Sequence, residues 1–326
     1  MTTNRCIAAL MVACALAVIS PVWAQTAASP AAPAPAAPAA RPAAAKAPAK
    51  PFVPKKTPDG QPDLQGYWQT QGTSTGRQER SLDLGNGKPG GDGFWAYGLG
   101  WGSDQQRRVQ NTLPKGVIDP ADGFVPLQDW AKKAKYDMVD NAEFPRSLSD
   151  VDPHARCIPS GVPRTNYALG YVGYQFMQVP GYVVLYTELN HQTRIIPLDS
   201  RPHLGKDIRL FLGDSRGRWE GNTLTVVTKN ARVPKSTGMG WLDMNATPYS
   251  DQIEVEETFT IVDEHTIAIQ ARVNDPKMAR QPWTLAGTYI RAVDDWEVME
   301  YACHEGNRAM ENIRESIELR KKTGQK

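Results

Sequence analysis

"EVEETFTIVDEHTIAIQARVN", residues 254–274, alternates polar and apolar side chains through two runs separated by Asp263, Glu264 and His265. A side-chain period of two belongs to a strand with one buried and one wet face. The stretch therefore reads as parts of two strands, Ile253–Val262 and Thr266–Asn274, joined by a tight turn.

The same texture extends in both directions. Tyr171–Val179, Tyr182–Leu189, Thr193–Leu198, Ile208–Leu212, Thr223–Thr228, Trp283–Ile290 and Glu297–Ala302 are rich in Val, Ile, Thr and aromatic residues. Short turn-forming pairs divide them, and "QVPGYVVLY" (178–186) and "RWEGNTLTVV" (218–227) read as hairpins. Leu64, Tyr67 and Trp68 open a first strand after the turn at Pro58-Asp59-Gly60. Leu127, Trp130, Ala131 and Ala134 recur at helical steps and predict a short amphipathic helix, and a second helix is expected over Gly306–Lys322. The expected fold is all-β: an up-and-down antiparallel barrel or strongly curved sheet with an irregular insertion at about 71–165. A propeller or jelly roll is the alternative, but no blade-length repeat is present to favour the propeller.

Before the strands, residues 1–24 read as a secretory signal peptide: Arg5, an apolar run from Cys6 to Ile19, Pro21, and a Val22-Trp23-Ala24 cleavage pattern. The apolar run is shorter than the ~20 residues needed to span a bilayer, and lipidation at Cys14 is the rival reading. Residues 25–56 are almost all Ala, Pro and Lys and are expected to be an extended, solvated linker. Residues 57–326 then form a single domain, periplasmic or secreted. A formal net charge of +2 and the lack of a basic, aromatic-interleaved run argue against a nucleic-acid partner, and no further apolar stretch predicts a membrane span. Cys6 and Cys14 leave with the leader, so Cys157 and Cys303 are expected to pair in an oxidising compartment. Metal or nucleophile duty for Cys303 beside His304 is the alternative.

Gly66-Tyr67-Trp68, and again Gly217-Arg218-Trp219, resembles the Gly-x-Trp of lipocalin and calycin barrels, in which the tryptophan closes one end. More widely, TPDGQPDLQGYW, DPHARCIPSGVPR, VPGYVVLYTELNHQTRIIPLDSRPH, GRWEGNTLTVVT, NDPKMARQPWT and MEYACHEGN occur in that order. Together they resemble a large family of exported bacterial proteins of unassigned function, over nearly all of the folded part. The resemblance implies a secreted calycin/lipocalin-like barrel and brings no activity with it. It also expects an acidic residue where Asn222 stands and a histidine where Tyr249 stands, so chemistry at those positions would be lost or changed here.

The densest polar stretch is YTELNHQTRIIPLDSRPH (186–203), which holds Glu188, His191, Arg194, Asp199, Arg201 and His203. A hairpin turning at Asn190–Gln192 predicts Glu188 beside Arg194. Facing a lumen, that pair would anchor a polar ligand group; facing water, it is an ordinary surface bridge. His203 lies at a strand end where a proton-transfer group can work, with Glu188 as its catalytic partner, while His154 reads as a brace for the loop carrying Cys157. No His-x-His, His-Glu-x-x-His, repeated Cys-x-x-Cys, Gly-x-Ser-x-Gly, dinucleotide fingerprint or phosphate loop occurs, so no metal or cofactor is expected.

"GDGFWAYGLGWGS" (91–103) crowds Phe94, Trp95, Tyr97 and Trp101 into a glycine-rich loop. Such a loop suits a lid or pocket wall, a plug for one barrel end, or a partner surface. Three functions follow. The first is a barrel binding an apolar, ring-containing small molecule through Trp68, Trp95, Tyr97, Trp101, Arg194, Arg201 and Trp219. The second is a cofactor-independent hydratase, dehydratase, isomerase or lyase in the same pocket. The third is a structural envelope protein, which predicts a filled barrel.

Overall fold

The computed structural model describes residues 52–71, 117–143, 145–167, 173–243, 246–292 and 297–324. The leader and nearly all of the linker lie outside them, as do Phe94, Trp95, Tyr97 and Trp101 of the aromatic loop.

The fold is an antiparallel barrel, nearly closed. In chain order its strands are β1 (Gly66–Gln71), β2 (Val117–Asp119), β3 (Gly173–Val179), β4 (Tyr182–Thr187), β5 (Gln192–Pro197), β6 (Asp214–Glu220) and β7 (Thr223–Lys229). The short pair β8 (Gly240–Trp241) and β9 (Pro248–Tyr249) follows, and then β10 (Glu254–Asp263), β11 (Thr266–Asn274) and β12 (Trp283–Arg291). Around the wall the order is β5-β4-β3-β1-β12-β11-β10-β7-β6, with β2 added to β12 where β1 has ended. β5 and β6 come together, but among the described residues no backbone ladder joins them, which leaves a seam. Gly217 permits that approach: a Cβ there would lie 2.7 Å from Ile196 Cγ2 and 2.9 Å from Leu198 Cδ2.

The alternation in residues 254–274 sets the wall as expected. Val255, Phe259 and Ile261 of β10 and Ile267, Ile269, Ala271 and Val273 of β11 are all buried. Inside, rings fill the space. Tyr174 stacks on Tyr289 with centroids 4.6 Å apart, and Phe176 meets Phe259 edge-on at 5.6 Å.

Two expected strands are absent from the sheet. Ile208–Leu212 forms turns and one bridge, Leu210 to Ala231, with Ile208, Leu210 and Phe211 substantially exposed. Residues 297–302 are irregular and lead into the disulfide that joins Cys303 to Cys157. Helix α1 spans Asp129–Glu143, with Leu127 buried just before it, but its own buried stripe runs Ala131, Lys135 and Met138, with Trp130 exposed. Met138 packs with Trp241 and Ala246 in a small satellite core. The C-terminal helix α2, Ala309–Thr323, ends at Gly324 in the left-handed region and packs against the one-turn helix Pro153–Arg156.

Candidate functional site

One end of the barrel is stopped by the chain itself. Residues 161–167 enter there, and the one-turn helix Arg164–Tyr167 is buried along its whole length. Its backbone carbonyls are satisfied from the wall: Tyr174 OH donates to Thr165 O at 2.9 Å, and Tyr289 OH to Asn166 O at 3.0 Å. Thr165 Oγ1 donates to Gln192 Oε1 at 3.0 Å, and the Asn166 amide donates to Glu257.

Glu257 also accepts from Arg194, and both side chains are buried. Arg194 Nε donates to Ser215 Oγ at 3.1 Å and Nη2 to Thr228 Oγ1 at 2.8 Å; the two hydroxyls lie 2.9 Å apart. A band of side-chain bonds thus runs from β5 across the seam to β6, β7 and β10. Burial, with the Glu257 charge adding to it, pushes the Tyr167 hydroxyl far above its usual range. Burial does the same to Tyr289, where the neighbouring Tyr174, Glu257 and Tyr167 add to it and Arg194 opposes. Both hydroxyls therefore keep their protons.

The expected pairing of Glu188 with Arg194 does not form. The β4–β5 turn is a single 3₁₀ turn, Leu189–His191, in which Asn190 and His191 have φ of 56° and 49°. It sets Thr187 opposite Gln192 and Leu185 opposite Arg194, leaving Glu188 in the turn. There Glu188 Oε2 accepts from the Gly173 N–H at 3.0 Å. His191 accepts the Tyr301 N–H on Nε2 at 2.9 Å, so Nδ1 carries the proton donated to Tyr186 OH at 2.5 Å.

The other predicted residues are dispersed. Trp68 is buried under the Arg291 guanidinium, 4.3 Å from its ring, and donates from Nε1 to Leu64 O at 3.0 Å. Trp219 packs against the core and donates to Gln61 Oε1 at 3.2 Å. Arg201 is exposed and forked onto Asp199, whose carboxyl is held down to about 2 mainly by those hydrogen bonds. His203 Nδ1 lies 3.0 Å from Asp214 Oδ2. Burial pushes the Asp214 carboxyl up, but the Leu204 N–H, Arg216 and His203 together leave it below its usual value.

Two concavities lie beside the stoppered end. A cleft of about 470 Å³ follows the seam, lined by Arg194, His191, Asp214 and Ser215 among others. A cavity of about 180 Å³ shares Pro159 and Phe211 with it and is walled by Val233, Met239, Trp241 and Tyr249, with Arg156, Ser160 and Arg232. Burial raises the Tyr249 hydroxyl to about 12, against an opposing pull from Arg164, and that hydroxyl donates to Arg232 O at 2.8 Å. Among the described residues that the sequence singles out, Arg194 and His191 line the seam cleft and Tyr249 lines the cavity, while Trp68, Glu188, Arg201, His203 and Trp219 line neither.

Sequence reasoning passed over Glu257, although Val255-x-Glu257-x-Phe259-x-Ile261 places it on the apolar face of β10. It also passed over Arg156, Ser160 and Trp241, which no local spacing connects. Among the described residues no group of three or more His, Cys, Asp or Glu side chains is placed to hold a metal ion, and no helix is long and apolar enough to cross a membrane.

No protein-family model and no curated protein matches this chain. Among solved structures it is similar to the wild-type fluorescent protein UnaG, with a TM-score of 0.23 and 11% identity over 43% of this chain and 90% of that one. A single-residue mutant of UnaG gives a TM-score of 0.23 and 12% identity over 43% of this chain and 86% of the other.

Proposed function

We propose that the protein is an exported barrel that binds a small, ring-containing molecule at its stoppered end. The lumen holds Tyr174, Phe176, Phe259 and Tyr289 in mutual contact, so the ligand sits outside it. The observation that carries this reading is the cavity of about 180 Å³ walled by Phe211, Met239, Trp241 and Tyr249. Flat apolar faces with a few convergent polar groups are the usual make-up of a small-molecule site. A purely structural envelope protein accounts for the filled lumen but leaves that cavity without a purpose.

The reading is tested by tryptophan fluorescence and thermal melting of the purified protein against phenols, aromatic acids, sterols, fatty acids and sugars. A ring compound that shifts both signals, and fails to do so after Trp241→Ala, supports it; a flat panel on a folded protein returns the weight to the envelope reading. Export is tested by sequencing the N-terminus of protein recovered from the periplasm or medium, expected to start at Gln25.

A second reading, acid–base catalysis, rests on His203. Asp214 orients its Nδ1 and itself lines the seam cleft, an arrangement that suits a general base. Once a ligand is in hand, His203→Ala should abolish turnover while leaving its binding intact; binding without any turnover by the unaltered protein sinks this reading.

A further inference from the structure

The walls of the smaller cavity carry charge of one sign. Among the described residues its lining includes two guanidinium groups, Arg156 and Arg232, and no carboxylate side chain. Arg232 is committed in part: its guanidinium lies 4.8 Å from the centroid of the Phe211 ring. Arg156 is not. Its Nε is buried without a hydrogen-bond partner among the described residues. The nearest acidic influence on it, Asp152, is already engaged, with Oδ2 accepting from Arg164 at 2.8 Å and Oδ1 from the His154 N–H at 2.9 Å. Arg156 is also fixed in place. It ends the one-turn helix Pro153–Arg156, and the next residue, Cys157, is left-handed and bonded to Cys303.

Ser160 supplies the second signal. It is only 4% exposed, lines the same cavity, and its buried Oγ has no partner among the described residues. Buried polar groups without partners are uncommon and costly. Here a guanidinium nitrogen and a hydroxyl, both buried and unpaired among the described residues, belong to side chains of one chamber whose other walls are mostly rings and aliphatic carbons, with Arg232 and Ser149. An anionic group set between the two side chains would answer both, offering oxygen acceptors to the guanidinium and to the hydroxyl.

We infer that this cavity is a site for a single aromatic ring carrying one carboxylate, with the carboxylate on Arg156 and Ser160 and the ring against Phe211, Trp241 and Tyr249. Size limits the ring count: about 180 Å³ falls below the ~300–1,000 Å³ typical of drug-sized ligands. The inference rests on the ligand-binding reading above and narrows it to one chemical class.

The test titrates the full chain with benzoate, benzamide and inorganic phosphate, read by calorimetry and by the shift in melting temperature. Benzoate should bind saturably, with benzamide and phosphate each at least about tenfold weaker. Arg156→Gln should weaken benzoate by about tenfold or more, and Ser160→Ala by about threefold. The melting temperature of each unliganded variant shows that it folds; should Arg156→Gln not fold, Ser160→Ala and the benzoate–benzamide ratio decide. Benzamide binding as tightly as benzoate overturns the carboxylate while leaving a ring-binding protein. Phosphate matching benzoate removes the ring, and benzoate binding untouched by either substitution moves the site elsewhere. If neither benzoate nor any neutral ring compound binds at ~10 mM, this inference and the binding reading fall together.

Discussion

Arg194 of β5 reaches Glu257 of β10 across a seam that, among the described residues, no backbone ladder closes, bonding to Ser215 on β6 and Thr228 on β7 as it goes. These side chains do the joining that main-chain pairing does everywhere else in the wall. They also fasten the stopper, because Glu257 holds Asn166. Removing one member of a buried ion pair strands the other charge, at a cost of about 3–5 kcal/mol, whereas replacing both with apolar groups is often far cheaper. Arg194→Met or Glu257→Leu alone should therefore lower the urea midpoint strongly, and the double substitution should cost much less than the sum. Additive losses would show that the two residues act independently.

Gly240 lies against Tyr249. A Cβ built on Gly240 would stand 2.1 Å from the Tyr249 ring, far inside any real contact. Gly240→Ala should push the ring out of its place and break the Tyr249 hydroxyl's bond to Arg232 O. Overpacking of this kind costs about 1–3 kcal/mol. Because the displaced ring is a cavity wall, the variant should also lose most affinity for any ring ligand, while remaining folded by circular dichroism. Unchanged affinity would show that Tyr249 forms no part of the site.

The barrel was legible because the inward positions of β10 and β11 are apolar except at Glu257, so the alternation over 254–274 marked both strands. Ile208–Leu212 misled for a definite reason. Its apolar side chains look like a strand, yet the segment meets the wall at one bridge only and leaves Phe211 free to stack under Arg232. Arg164-Thr165-Asn166-Tyr167, at the end of the expected irregular insertion, carries no apolar alternation to mark it as interior, yet hydroxyls of Tyr174 and Tyr289 inside the barrel satisfy its backbone. The Glu188–Arg194 expectation missed by turn type, since a 3₁₀ turn instead of a simple reversal moves Glu188 off the strand face. The cavity was invisible because five separate stretches of chain build it.

Acid should weaken the fold through His154. Burial lowers its pKa below 6.5, Asp152 opposes and Arg164 adds to the lowering. The folded state therefore holds this imidazole neutral where the unfolded chain would protonate it. Below pH 6.5 the unfolded chain binds more protons, so the stability this site contributes falls as pH drops toward the folded-state value. His154→Gln should flatten the decline of the urea midpoint in that window compared with the unaltered protein. Parallel curves for the two proteins would remove His154 from the account.

The disulfide links stability to the cavity. Cys157 and Cys303 are 146 residues apart, and closing a loop of that length contributes roughly 5 kcal/mol in the chain-entropy model. The same bond holds the turn that carries Arg156, while Tyr301, two residues before Cys303, is separately held by His191. Cys157→Ser with Cys303→Ser should thus lower the melting temperature, and at temperatures where the variant is still folded it should also weaken benzoate binding. The two effects separate by temperature: loss of global stability alone leaves affinity unchanged well below the melting point. A persistent loss there, matched by reduction of the unaltered protein with dithiothreitol, shows that the bond positions Arg156. Full affinity in the reduced, folded protein would assign the bond to stability only.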